Sequence, residues 1–376
     1  MNESRKMATI RKVTAIEPIE NADRIEVVVV DGWRVVTKKG EFNHDDLVVY
    51  LEIDTFCPVN VEPLAFLAER GTRTMEVDGT DVRGHVLKTI RLRGVYSQGL
   101  CVAPSEFGIN NDEAQTLCDE EADVSERIGV CEYVRPVKSG GGSPRFIKNP
   151  YDRSVAPVTD AERVQNCTRI WDILRKVDSY ATVKVDGRST TMVFDPRHDK
   201  IRLFSHHREL DYEYQPEDGG KTIAQVSYEA AERQGIVKFC NEHPGITVQF
   251  ELTGPKIQRS VTRDFQCHVF AVWYMATIRK LTPDDIRHNG WDEIASSYVR
   301  ELDINASDYD TPQDLLEAVD RLRDNVAKGK PDEGVVFHIT GQGSASDEEW
   351  MQVQRKLGTN MEFKAVSNRY LLKEKA

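Results

Sequence analysis

The chain has 376 residues, of which 39% are hydrophobic and 30% charged, and its formal net charge is −12. That length suits two or three domains with real cores, and the composition excludes an intrinsically disordered chain. The acidic balance argues against a protein that coats nucleic acid indiscriminately, while leaving room for a local basic groove. The N-terminal MNESRKMATIRKV lacks the apolar run of a signal peptide, and no apolar stretch could span a bilayer, so a cytoplasmic protein is expected. The seven cysteines are scattered and never spaced as C-x-x-C, which predicts free thiols rather than a structural zinc.

Residues 7–135 carry short β-branched runs separated by turn residues. RIEVVVVDGWRVVTKKGEF holds two such runs around Asp31-Gly32, a strong hairpin signal. DDLVVYLEID, HVLKTIRLRG, GLCVAP and GVCEYVRP continue the pattern. About five strands of this kind suit a small OB-type barrel, with a generic barrel or protein-docking module as the bland alternative. KSGGGSPRFIKNP (138–150) cannot hold regular structure and is expected to be a linker. Domain bounds of 1–137 and 151–376 follow.

Beyond the linker the texture becomes mixed. YATVKVDGRSTTMVFD and KIRLFSHHREL alternate as strands, and KTIAQVSYEAAERQGIVKFC has helical spacing. ITVQFELTG and CHVFAVWYM return to strand. DTPQDLLEAVDRLRDNV is an amphipathic helix that Thr311 can cap and Pro312 can open. EGVVFHIT and MEFKAVSNRYLLK close the chain. This is α+β material of antiparallel sheets with flanking helices, not the regular βαβ alternation of a dinucleotide fold.

Standard catalytic motifs fail. DGGKTIAQ (218–225) contains Gly-Lys-Thr, but Gln215 stands where a P-loop needs glycine, and no G-x-G-x-x-G, G-x-S-x-G or H-E-x-x-H occurs. What remains is a series of short elements around Lys184. TDAERVQN (159–166) lies upstream of KVDG (184–187). FSHHREL (204–210), FELTGP (250–255), VFAV (269–272), DEGVVF (332–337) and FKAVSNRYLLK (363–373) follow it. Singly, each has a bland reading: a solvated lysine, an Asp-Gly turn, surface ion pairs, a core phenylalanine. Together and in this order they are not cheap.

The series resembles that of the covalent nucleotidyltransferases, the ATP-dependent ligases and mRNA capping enzymes. The N-terminal IEPIENADRIEVVVVDGWRVVTKKGEF, LVVYLEIDTFCP and LRGVYSQGL, with RVQN and NRYLLK, are similar to the Deinococcus and Naegleria type of RNA ligase. The resemblance implies an OB-type β-barrel followed by an ATP-grasp-like covalent nucleotidyltransferase domain. It implies ATP and Mg2+ (or Mn2+) as cofactors and broken or nicked RNA as partner. Lys184 would be the nucleophile, with Asp186, Glu251, Glu333 and Lys364 completing the catalytic set and the first three carboxylates holding metal or ribose. Arg163, Gln165, Asn166, Gly187, Ser189, Glu209, Phe270 and Lys373 would contact the nucleotide, Phe270 by stacking on adenine.

The chemistry fits these residue types. A lysine amine attacks phosphorus only when unprotonated, so a depressed pKa is expected at Lys184. The chain departs from the family in two places. His206-His207 stand where Arg-Asn is usual, and imidazole does not reproduce the bidentate grip of arginine, so Arg208 is the expected substitute. Val366 stands where many RNA ligases carry a second lysine, which leaves Lys373 as the expected replacement. The competing readings are a DNA ligase, an RNA capping guanylyltransferase, and a non-catalytic OB-type RNA-binding protein. In the first two the OB module generally follows the catalytic domain.

Overall fold

The computed structural model describes residues 5–77, 79–134, 147–158, 160–258, 262–325 and 332–373. Its N-terminal part is built on a five-stranded antiparallel sheet in the order Leu100–Val102, Leu47–Leu51, Ala8–Pro18, Ile25–Val30, Trp33–Lys38. A β-bulge in Ala8–Pro18 lets this long strand bend and serve both sides of the barrel. The Asp31-Gly32 turn joins two strands paired from Ile25↔Lys38 to Val30↔Trp33. A second sheet, Cys131–Glu132, Thr55–Pro58, Thr80–Val86 and Arg73–Val77, and a separate hairpin, Ile90–Leu92 with Val95–Ser97, elaborate the barrel. Two apolar clusters fill it, one around Trp33, Tyr50 and Val48, the other around Val49, Leu51, Leu64 and Ile109.

Two sheets make the C-terminal part. The larger has seven strands in the order Ile147–Pro150, Arg208–Leu210, Lys200–Ser205, Arg188–Asp195, Ile246–Thr253, Gln266–Tyr274, Arg279–Lys280. The smaller runs Glu162–Arg163, Glu362–Val366, Asp332–Gly341, Asp178–Val185, Glu301–Leu302. Each sheet buries one face under its own helices. Ile223–Arg233 and Ile236–Glu242 cover the larger, and Pro312–Asn325 and Asp347–Leu357 cover the smaller. Phe337 and Phe363 stack at 4.7 Å inside the second cluster and are fully buried. Truncating either to alanine would cost about 3–5 kcal/mol.

Two expectations need correction. The last four residues of the expected linker, Ile147–Pro150, form an edge strand against Arg208–Leu210, while 138–146 lie outside the described residues. The helix expected over 221–240 is two helices, because Gly235 at φ 79 takes the left-handed conformation and turns the chain. The helix beginning at Pro312 is capped as expected: Thr311 Oγ1 accepts from the Asp314 amide at 3.2 Å. No helix among the described residues is long and apolar enough to cross a membrane.

Candidate active site

The strands Asp178–Val185 and Arg188–Asp195 are not a hairpin: they belong to different sheets, and Asp186-Gly187 is the step between them. That step brings the carboxylates of both sheets to Lys184. A Cβ on Gly187 would lie 2.5 Å from the Leu252 carbonyl and 2.8 Å from Glu251 Cγ, so only glycine allows so close a crossing. On the smaller sheet Lys184 pairs with Gly334, whose own Cβ would lie 2.1 Å from the Ala365 carbonyl. The glycine therefore lets the strand Glu362–Val366, which carries Lys364, press against the strand that carries Glu333.

Glu333 accepts from Lys184 Nζ through Oε2 and from the Tyr370 hydroxyl through Oε1 at 3.1 Å. Glu251 reaches the same place from the larger sheet. Burial pushes its carboxyl up to about 8; Glu333 and Asp186 add to this, against the opposing pull of Lys184 and the Gly187 amide. Burial pulls the Lys184 ammonium down, but Glu333 and Glu251 outweigh it and hold the pKa above its ordinary value. The depressed lysine expected from sequence is thus not the state found here. Two carboxylates face the amine, and their charge stabilises the protonated form.

Lys364 is buried and donates to Asp160 Oδ1 at 2.6 Å. Burial, helped by Arg163, Arg5 and Lys184, lowers its pKa despite Asp160. Burial alone would raise the Asp160 carboxyl, yet Lys364 and Arg5 hold it well below the usual range. Arg163 lies opposite Lys364 where Glu162–Arg163 pairs in parallel with Glu362–Val366. Its guanidinium pairs with Glu52 and Asp54 of the N-terminal barrel, each at 3.2 Å, and among the described residues its buried Nη1 has no hydrogen-bond partner.

The other expected contacts divide. Ser189 sits opposite Glu251 in register. Phe270 is the extra residue of a β-bulge between Val269, opposite Phe250, and Ala271, opposite Gln249, an arrangement that re-aims its partly buried ring. Asn166 is held by four protein groups. Its Oδ1 accepts from Arg11 at 2.9 Å and Trp33 at 2.6 Å, and its Nδ2 donates to Glu52 at 3.0 Å and Glu162 at 2.8 Å. Gln165 is buried, and its carbonyl accepts from the Gly32 amide at 3.0 Å. Glu209 takes two bonds from Arg202, at 2.9 and 3.1 Å, and one from Asn149 at 3.0 Å. The Asn166 and Glu209 side chains are therefore held by protein groups, whereas among the described residues the buried Gln165 Nε2 has no hydrogen-bond partner. The Lys373 side chain lies outside the described residues.

Burial and His207 push the His206 imidazole down to about 4, so it is neutral near pH 7; the two rings meet edge to face at 4.5 Å. Among the described residues no group of three or more His, Cys, Asp or Glu side chains is arranged to hold a metal ion, so Asp186, Glu251 and Glu333 are not a preformed set of direct ligands. Their chemistry still fits Mg2+ or Mn2+. The donors are hard oxygens; burial first, and then the neighbouring Glu333 and Asp186, disfavour the charged form of Glu251, and a cation beside it would favour that form. Such ions also keep several waters and need few protein ligands.

One family model, described as an OB-fold domain, matches residues 7–104, and another, described as RNA ligase, matches residues 178–351. One match falls in each module. The chain belongs to the RNA ligases. No curated protein matches it. Among solved structures, a ligand-free Naegleria gruberi RNA ligase mutant is similar at 27% identity and TM-score 0.74, over 99% of this chain and 98% of that one. A Naegleria gruberi RNA ligase mutant with ATP and Mn is similar at 26% and 0.74, and one with AMP and Mn at 27% and 0.74, each over 99% of both chains. The expected order of modules, barrel first, is the order found in this RNA ligase.

Sequence reasoning missed Arg5, Glu52, Asp54 and Asp160, which surround Arg163 and Lys364 in the ligase. Glu52 carried a legible signal, an acidic residue ending the apolar run LVVYL, and it is only 3% exposed. Asp160 lies within TDAERVQN, where its position carries no signal of its own. Tyr370 lies within NRYLLK in the same way.

Proposed function

We propose that the chain seals RNA 3′-hydroxyl and 5′-phosphate ends at nicks or breaks, using ATP and a covalent lysyl-AMP on Lys184. The observation that carries this is the convergence of Lys184, Asp186, Glu251 and Glu333 from two sheets at one glycine crossing, with Lys364 on the neighbouring strand. Asp186, Glu251 and Glu333 would hold a divalent cation, which supplies positive charge that offsets the carboxylates now favouring protonated lysine. Arg163 and Lys364 lie close enough to lower the lysine pKa further.

The unprotonated Lys184 amine then forms an N–P bond to the α-phosphorus of ATP as the bond to the bridging oxygen breaks and pyrophosphate leaves. An oxygen of the RNA 5′-phosphate next attacks that phosphorus, and the lysine leaves once reprotonated. The RNA 3′-hydroxyl finally attacks the 5′-phosphorus and expels AMP. Lys364 and the free edge of Arg163 are suited to hold the phosphates through these steps. Phe270 would stack on adenine, and Ser189 would touch the sugar.

Incubation with radiolabelled ATP and Mg2+, followed by denaturing electrophoresis, tests the reading. Label is expected on the wild type and absent from Lys184→Ala. An unlabelled wild type, or undiminished label on the variant, would overturn it.

A further inference from the structure

The hairpin Ile90–Leu92 with Val95–Ser97 turns through Arg93-Gly94, both at positive φ, 47° and 88°. Two-residue turns of this kind favour Asn-Gly or Asp-Gly, and a bulky side chain in the first position is held there at a cost. Arginine in that position is a local sacrifice without a structural return, since Arg93 is exposed. Arg91 is exposed too, and Lys88 is half-buried just before the hairpin. Among the described residues none of the three has a carboxylate within ion-pair distance. Lys88, Arg91 and Arg93 thus make a local cationic group in a chain where acidic residues outnumber basic ones by 62 to 50.

The Arg91 guanidinium lies 5.5 Å over the Tyr96 ring. Arg91 and Tyr96, with Arg369 and Leu372 of the C-terminal helix Asn368–Lys373, line a notch of about 310 Å³. The hairpin is seated firmly: the Gln98 amide donates to the Arg34 carbonyl at 2.8 Å and the Val36 amide to Ser97 Oγ at 2.9 Å. The next residue of the same helix, Tyr370, donates to Glu333 in the active site.

We infer that this notch, formed by the barrel hairpin and the C-terminal helix, is a seat for the RNA strand beside the active site, Arg91, Arg93 and Arg369 holding backbone phosphates and Tyr96 presenting an aromatic face. Guanidinium groups grip phosphate bidentately, and an aromatic ring among cations is the usual composition of a strand-binding groove. The notch is built by both modules, so it forms only when the barrel is docked on the catalytic domain. The inference rests on the RNA-sealing reading of Lys184 and assigns that reaction its strand path.

The test is Arg91→Ala combined with Arg93→Asn; asparagine suits the turn, so the fold is preserved. Binding of a nicked RNA duplex is titrated across a salt series, and the KM for ATP is measured in the AMP-capture step. Removing two phosphate contacts should weaken binding by roughly tenfold or more and lower the slope of log K against log salt by about 1.5. The ATP KM should stay within about twofold, as expected if these contacts reach RNA alone. Unchanged RNA affinity and slope would overturn the inference. So would a raised ATP KM with an unchanged slope, which would give the notch to the nucleotide. A wild type that captures no AMP would sink the ligase reading, but the RNA salt slope would still be readable.

Discussion

The Trp33 indole donates to the Asn166 carboxamide at 2.6 Å, joining the barrel to the first motif of the catalytic domain. Asn166 uses all four of its hydrogen-bonding positions on Arg11, Trp33, Glu52 and Glu162. Asn166→Ala should therefore destabilise the protein by about 2 kcal/mol, because buried partners are left unsatisfied. Asn166→Asp should be worse near neutral pH, since a carboxylate cannot donate to Glu52 and Glu162. Urea unfolding of the three proteins checks the order.

Glu52 is the second link between modules, paired with Arg5 and with Arg163, and its side chain is 4% exposed. Glu52→Gln keeps the shape and leaves the buried Arg163 and the half-buried Arg5 guanidinium groups short of countercharge. A loss of about 3 kcal/mol is expected, the usual cost of removing one partner of a buried pair. Denaturant midpoints of the wild type and variant measure it. Equal midpoints would mean that water already screens this network.

Gly187→Ala places a methyl 2.5 Å from the Leu252 carbonyl, and Gly334→Ala places one 2.1 Å from that of Ala365. Backbone must move in both cases, at about 1–3 kcal/mol each. AMP capture should fall much further than stability does, because either shift separates Lys184 from the carboxylates it faces. Labelling rates compared with melting temperatures separate the two effects; parallel small losses would contradict the prediction.

Asp160 sets an acid limit. Burial would raise its carboxyl, but Lys364 and Arg5 hold it well below the ordinary value of 3.8. The folded value is the depressed one, so its stabilisation is complete above about pH 4 and is lost as pH falls through the folded pKa. Asp160→Asn should be less stable than the wild type near neutrality and show a shallower loss of stability below pH 4. Melting temperatures across an acid series check this.

Much of this protein could be read from local sequence. Period-two alternation marked the strands, Asp31-Gly32 marked a hairpin, and Thr311-Pro312 marked a helix start, because each depends on neighbours a few residues away. The spacing of Lys184, Asp186 and Gly187 and the later Glu251, Glu333-Gly334 and Lys364 identified the residues that meet. What they meet as was not local. Asp186-Gly187 looks like a hairpin turn in sequence and is a crossing between sheets, since strand partners are chosen by burial over long separations.

The protonation of Lys184 and the use of Asn166 were decided only by the assembled fold. A lysine pKa is set by the charges that tertiary structure places beside it, here Glu333 and Glu251, which are distant in the chain. The partners of Asn166 cannot be read from its neighbours in the chain, because docking of the barrel brings Arg11, Trp33 and Glu52 onto it.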